Sequence, residues 1–275
     1  MPGLIIGGRQ VAVGGLAILN GNDQRWCRLH PLDYTMRTTT RSGATTWVRA
    51  IVLHTTGGNW PQVVRPGAGV RGHAQQIAEM WSGADRGGGE RIHSGAHLVV
   101  DFEGTVACLA DLQLHAAYHA TTVNDHTIGI ELCTLPDGSI YEATLDATVQ
   151  LVVGDGGLCE LFGIPPQVHV SRYHNAAIPR LVSGGRDAVG IYGHRDQSDQ
   201  RGRGDPGDRI YELLVAAGTE PLDYSTGEDL ARGRARQQAL VARGERLVVD
   251  GLVGPASLGA ARRQGFARWA DVPAG

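Results

Sequence analysis

A nearly uninterrupted apolar segment, Trp47–Leu53, contains a single charged residue. A strand that is apolar on both of its faces must be covered on both, as in the inner strands of a sheet that carries helices. Other strand-like segments alternate with helix-like ones over residues 46–218. This order predicts an α/β fold with a mixed central β-sheet flanked by helices.

The spacing of apolar residues also predicts individual helices in this region. Helices are expected over Val70–Trp81, over 145–162 and over 208–217. Gly163 marks the end of the second helix, and Pro206 marks the start of the third.

Turn-rich stretches divide the chain into four parts. Residues 1–45 contain short apolar stretches between Gly-Gly pairs, which predicts an accessory N-terminal β segment. Residues 46–218 form the main domain. Residues 219–227 are rich in Gly, Pro, Ser and Thr and predict a linker, and residues 228–275 predict a small helical domain.

Charge and cysteine usage exclude several classes of protein. All 25 basic residues are arginine, and the net charge of −3 argues against nucleic-acid binding. The four cysteines are widely spaced, as expected of thiols in a reducing compartment. Neither a signal peptide nor a membrane span is found, so synthesis in the cytoplasm without export by a leader is expected.

Two histidines and an aspartate lie where strands are expected to end. His54 follows the apolar segment, His194 follows the strand-like Val189–Tyr192, and Asp205 lies in the same loop as His194. Two imidazoles and a carboxylate can form a zinc site with its fourth position left for water. If they converge, the chain is a metallohydrolase; if not, it is an ordinary α/β domain with eleven histidines.

Glu131 is a charged residue within a segment that has an apolar residue at every second position. Ile128, Ile130 and Leu132 point to one side of the expected strand, so Glu131 points to the other. A carboxylate within an apolar strand is costly unless it is paired or used. It is therefore either one half of an ion pair with an arginine or a general base beside a metal.

Several segments between residues 47 and 217 carry the motifs of one family, in that family's order. They are Ile51–Thr56, Ser94–Val106, Ala117–Ala120, Asn124–Leu132, Gly193–Asp196 and Asp205–Gly207. Together they resemble the zinc-dependent N-acetylmuramoyl-L-alanine amidases, which include phage lysozyme-type amidases and peptidoglycan recognition proteins.

The resemblance implies a role for each matching residue. His54, His194 and Asp205 would bind Zn²⁺, and Glu131 would be the catalytic carboxylate that moves a proton from water to the leaving amine. Arg203 stands where the family usually has lysine. Because arginine stays protonated, it would stabilise an oxyanion but donate no proton.

Two further histidines lie within the matching motifs. His119 corresponds to a family histidine that lines the substrate cleft, which implies substrate binding. His97 is expected to face the interior of the sheet instead.

The reaction implied by the resemblance is hydrolysis of the amide between N-acetylmuramic acid and L-alanine in bacterial peptidoglycan.

The C-terminal segment Val249–Ser257 resembles the small helical peptidoglycan-binding domain over residues 228–270. Ser257 replaces the usual threonine. The alternative is a generic helical hairpin around an Asp-Gly turn.

Other functions stay open at this point. A non-catalytic peptidoglycan-recognition module is disfavoured by the complete ligand set, and residues 1–45 suggest a structural component of a phage tail or injection particle. An endolysin would reach the cell wall through a holin-type pore; a secretion apparatus or a particle are the other routes.

Overall fold

The strands and helices described below come from a computed structural model. It describes residues 2–22, 27–29, 34–37, 48–56, 95–135, 137–170, 189–198, 204–223, 230–247, 249, 255–268 and 271–274. The strands are β1 Leu4–Ile6, β2 Arg9–Val11, β3 Ile18–Asn20, β4 Tyr34–Met36, β5 Ala50–Thr55, β6 Leu98–Val100, β7 Val106–Cys108, β8 His115–Ala117, β9 Thr127–Leu132, β10 Gln167–Val170, β11 Gly190–Gly193 and β12 Glu220–Asp223. The helices are α1 Glu142–Val153, α2 Leu158–Phe162, α3 His194–Gln197, α4 Asp208–Ala216, α5 Leu230–Ala242 and α6 Pro255–Arg263, with a 3₁₀ helix at Thr121–His126.

The central sheet has eight strands within the described ranges, in the order β12-β10-β11-β5-β9-β6-β7-β3. Its neighbouring strands are parallel except for β6 and β7, which form an antiparallel hairpin. The mixed α/β sheet predicted from the sequence is therefore confirmed.

The two faces of the inner strands differ in chemistry. In the parallel register of β5 and β9, Leu53 lies opposite Ile130, and His54 lies opposite Glu131. Because successive side chains alternate between faces, each apolar pair points to one side and each polar pair to the other. The apolar face packs against α1 and α4 in a core that includes Ile51, Leu53, Ile128, Ile130, Leu132, Leu145, Leu151, Ile210 and Leu214.

Part of the N-terminal β segment joins this sheet through β3, while β1 and β2 form a separate two-stranded sheet. Strand β3 pairs in parallel with β7 at the sheet edge, and Leu4 and Ile18 are buried in the main core. The Asp111 carboxylate accepts hydrogen bonds from the backbone amides of Gly7 and Gly8. Short strands between glycines carry too little pattern to reveal such edge pairing.

The helix predicted over 145–162 is two helices. Helix α1 ends at Val153 and α2 begins at Leu158. The intervening Gly156 has a φ of +65°, a left-handed conformation that interrupts an α-helix. Gly163, with a φ of +62°, ends α2 as predicted. The helix expected over Val70–Trp81 lies outside the described residues.

Within the predicted linker, residues 219–227, residues 220–223 form β12 and pair in parallel with β10. Beyond it, α5 and α6 are helical as expected and pack around Leu240 and Ala260. The side chain of Gln237 donates to Ser257 Oγ at 3.1 Å in this small core. The Asp-Gly turn at 250–251 lies outside the described residues, and the peptidoglycan-binding assignment stays a prediction.

None of the described helices is long and apolar enough to cross a membrane.

Candidate metal centre

The ends of two neighbouring parallel strands bring two histidines together. His54 lies near the end of β5, and His194 is the first residue of α3, directly after β11. Because β5 and β11 are parallel neighbours, their carboxyl ends lie at one edge of the sheet. The two imidazole centroids are 4.5 Å apart, and the two side chains are buried.

Asp205 completes the cluster from the loop that precedes α4. Its Oδ2 lies 3.3 Å from Nδ1 of His194, and its Oδ1 accepts a hydrogen bond of 3.0 Å from the Thr55 amide. The Thr55 hydroxyl donates to the carbonyl of Gly204, which fixes the loop against the end of β5. Burial alone would raise the pKa of Asp205, but its hydrogen bond with His194 and its proximity to His54 lower it.

The donor set fits a zinc ion. One possible ligand atom from each of His54, His194 and Asp205 lies within 4.8 Å of the others. Tetrahedral zinc with ligands at about 2 Å separates them by about 3.4 Å, so small side-chain movements suffice. The three predicted ligands are therefore brought together.

A buried aspartate, Asp196 of α3, connects the end of β11 to α4. Asp196 accepts hydrogen bonds from the Gly193 amide at 2.9 Å and from the Tyr211 hydroxyl at 2.6 Å. A Cβ on Gly193 would collide with the Tyr211 hydroxyl and with Pro206. The glycine therefore allows α4 to approach β11 closely, which carries Asp205 toward the histidines.

Arg195 of α3 contacts both Asp205 and α4. Its amide donates to the Asp205 carbonyl at 2.7 Å, and its guanidinium pairs with Asp208 at 2.7 Å while lying over the Tyr211 ring. No role is predicted from the sequence for Arg195 or Asp196, although both lie in the motif Gly193–Asp196. The sequence feature that could have indicated a role is that both are charged residues directly after a buried strand.

Glu131 lies beside the cluster on β9. It is the register partner of His54, points to the same face, and is half-buried. Neighbouring strands lie about 4.8 Å apart, so Glu131 is carried by the strand directly beside that of His54. This position suits a general base, and that role stays a prediction.

His119 contacts the first histidine directly. Its Nδ1 lies 3.0 Å from His54 Nε2, and its Nε2 lies 3.0 Å from Oγ1 of Thr127. A Cβ on Gly129 would lie 2.5 Å from Cγ of His119, so the ring rests on the bare backbone of β9. Burial, followed by the neighbouring histidines, holds the pKa of His119 well below its ordinary value.

His97 is fully buried, as expected of a residue facing the interior. Its Nδ1 accepts a hydrogen bond from the Gly129 amide, and its Nε2 lies 3.0 Å from the carbonyl of His115. Burial and then the charge of Arg37 lower its pKa well below the ordinary value.

Sequence reasoning missed the buried Arg37, which supports this side of the site. Its guanidinium donates to the carbonyls of Asn124, Asp125 and Thr127, where the 3₁₀ helix enters β9. Burial lowers its pKa to about 10. Nothing in the local sequence distinguishes it from a surface arginine.

Comparison with known proteins identifies the family. A family model described as N-acetylmuramoyl-L-alanine amidase matches residues 44–208, more than half of the chain, and this range contains the clustered ligands and Glu131. The chain belongs to this amidase family. Its function therefore lies in the cleavage or recognition of peptidoglycan.

Solved structures similar to this amidase-family chain include an AmpD derivative and peptidoglycan recognition proteins. A selenomethionine AmpD derivative is 14% identical, with 74% of this chain and 95% of that chain covered and a TM-score of 0.45. The ectodomain complex of the peptidoglycan recognition proteins LCa and LCx with tracheal cytotoxin is 17% identical, with 74% and 98% covered and a TM-score of 0.43. Wild-type Drosophila PGRP-LB is 16% identical, with 74% and 96% covered and a TM-score of 0.41. No curated protein matches this chain.

One predicted residue of the amidase site is not placed. Arg203, predicted to stabilise an oxyanion, lies outside the described residues. The described chain resumes at Gly204, whose carbonyl is bound by Thr55.

Proposed function

We propose that this amidase-family chain is a zinc-dependent enzyme that hydrolyses the amide bond between N-acetylmuramic acid and L-alanine. The observation that carries the proposal is the convergence of His54, His194 and Asp205 at the carboxyl ends of β5 and β11. Family membership supports the amide as the scissile bond.

The three side chains would hold the metal through two imidazole nitrogens and one carboxylate oxygen. Zinc bound in this way lowers the pKa of a water ligand toward neutrality and polarises a carbonyl oxygen. The lowered pKa of Asp205 supports this role, because a metal-binding carboxylate must be ionised. The amides of Thr55 and Arg195 hold the loop of Asp205 in position.

Glu131 would perform the proton transfers. As the register partner of His54, it takes a proton from the attacking water and returns it to the leaving amine. The reaction needs both transfers, since hydroxide attacks the carbonyl and the expelled nitrogen leaves as an amine. Arg203 would stabilise the negative oxygen of the tetrahedral intermediate, because a guanidinium remains charged at every working pH.

Delivery to the cell wall is part of the proposal. We infer that the protein is made in the cytoplasm and acts after release through a holin-type pore, a secretion apparatus or a particle. Recovery of the protein from purified phage or injection particles would select the last route, and its presence only in lysates would select a lytic endolysin.

The test is digestion of purified peptidoglycan with and without a chelator. We expect about one zinc per chain, released fragments with a new L-alanine amino terminus by mass spectrometry, and loss of cleavage when zinc is removed. His194→Ala should lose bound zinc and reduce activity by at least about 100-fold, because the metal is held by three side chains.

His169→Gln is the matched control, because His169 is a buried histidine hydrogen-bonded to the Val189 carbonyl and outside the metal cluster. It should keep both zinc and activity. Full cleavage by His194→Ala without zinc would overturn the proposal. Binding of peptidoglycan by the zinc-loaded wild type without cleavage would establish a recognition module instead.

A further inference from the structure

We propose that His119 is a positioning residue for the metal centre, which fixes His54 in the tautomer that carries its proton on Nε2 and directs the Nδ1 lone pair to the metal. The inference rests on the zinc-dependent function proposed above. It assigns His119 a task beyond lining a substrate cleft.

The direction of the hydrogen bonds is set at Thr127. Its hydroxyl lies 2.8 Å from the Val123 carbonyl, and because a carbonyl can only accept, the hydroxyl must donate to it. The same oxygen lies 3.0 Å from Nε2 of His119 and is left to accept there. His119 therefore carries its proton on Nε2.

The tautomer of His54 follows from that of His119. In a neutral imidazole one ring nitrogen donates and the other accepts, so Nδ1 of His119 is an acceptor. It lies 3.0 Å from Nε2 of His54, which must therefore carry the proton. The remaining nitrogen, Nδ1, holds the lone pair with which a neutral histidine binds a metal.

The second histidine of the cluster uses the same atom. Nδ1 of His194 lies 3.3 Å from the Asp205 carboxylate, so it too faces the cluster. With Nδ1 of His54 as ligand, both histidines bind through equivalent nitrogens. The partner of a ligating histidine usually fixes its ring and its tautomer, and loss of that partner typically costs 10–100-fold in metal affinity.

Three residues of strand β9 support this chain of hydrogen bonds. Thr127, Gly129 and Glu131 occupy alternate positions and share one face. The threonine supplies the terminal hydroxyl, the glycine leaves space for the His119 ring, and Glu131 lies opposite His54. Both ring nitrogens of His119 are thus engaged by partners within the protein.

The experiment combines ¹⁵N NMR of His54 in the metal-free protein with zinc affinity measured by competition with a chelator. In the wild type, Nε2 of His54 should be protonated. His119→Leu should populate both tautomers and weaken zinc binding by about 10–100-fold. Thr127→Val should act in the same direction with a smaller effect, because it removes only the end of the chain.

His119→Gln is the rescue variant. Its amide oxygen can accept from His54 while its amide nitrogen donates to Thr127, so zinc affinity should return to within about tenfold of the wild type. His126→Gln, in which a buried histidine outside the hydrogen-bond chain is replaced, is the control and should leave both readouts unchanged.

Two results would overturn the inference. One is a His54 protonated on Nδ1 in the wild type, which can be read even if His119→Leu does not fold. The other is unchanged zinc affinity in His119→Leu with a raised KM, the signature of a substrate contact. Failure of the wild type to bind zinc would instead refute the proposed function, while the metal-free NMR spectrum still tests the tautomer.

Discussion

The two faces of β5 and β9 are built from the same twelve residues and serve different purposes. On one face, alternate residues are aliphatic and close against α1 and α4. On the other face, the alternate residues include His54, Gly129 and Glu131, and histidines from other segments pack over them. Leu53 and His54 are adjacent in the chain, but one belongs to the core and the other to the candidate metal centre. Because successive side chains of a strand point to opposite faces, the residues of the core and those of the candidate metal centre are kept on separate sides of the sheet.

The largest expected effect is on the polar face. Glu131→Gln keeps the shape of the side chain but removes its ability to accept a proton, so kcat should fall by about 10²–10⁴. The free energy of unfolding should change by about 1 kcal/mol or less. Cleavage assays and denaturant titrations of the same preparation measure the two quantities. Loss of stability in proportion to loss of activity would contradict a separation of the two faces.

The converse change lies on the apolar face. Leu53→Ala removes a fully buried side chain from the main core and should lower the free energy of unfolding by about 2–5 kcal/mol. The folded fraction should retain zinc binding and most of its kcat, because no polar group of the site is altered. A large drop in kcat at a temperature where the variant is fully folded would show that the two faces are coupled.

The pH dependence of the free energy of unfolding tests the polar face at β10, near one edge of the sheet. His169 lies on β10, its ring packs against Tyr192, and burial lowers its pKa to about 4. Between pH 6.5 and 4 the unfolded chain then binds a proton that the folded chain does not, so stability must decrease as the pH falls through that range. For a shift of this size the contribution is on the order of 3 kcal/mol.

Denaturation at pH 7, 5.5 and 4.5 measures this dependence. His169→Gln, which retains a donor for the Val189 carbonyl, should reduce the slope but not abolish it. His97 and His119 are also buried, and the pKa of each is lowered, so they contribute in the same direction. An unchanged slope in the variant would assign the pH dependence to other groups.

The inner strands and the positions of the two histidines could be predicted because their signals are local, whereas the complete ligand set was implied by the resemblance to the amidase family. Apolar alternation locates β9 and the side of Glu131, and strand ends locate His54 and His194. Parallel strands bring such ends together, so convergence required no knowledge of distant contacts.

Other features depend on contacts that no local pattern carries. Strands β3 and β12 extend the sheet at its two edges, but each has only three or four residues. Arg37 is buried because backbone carbonyls from a distant turn surround it. The contact between His119 and His54 requires the segment that links β8 to the 3₁₀ helix to lie at a set distance from β5, which the sequences of these segments do not specify.

The close approach of the His119 ring to the backbone of Gly129 also constrains how this sequence can change over generations. An alanine at position 129 collides with the imidazole, so it is tolerated only after position 119 has become smaller. Position 119 must therefore change first. The two positions are expected to vary together among descendants of this chain, and a lineage that loses the histidine removes the steric barrier to losing the glycine.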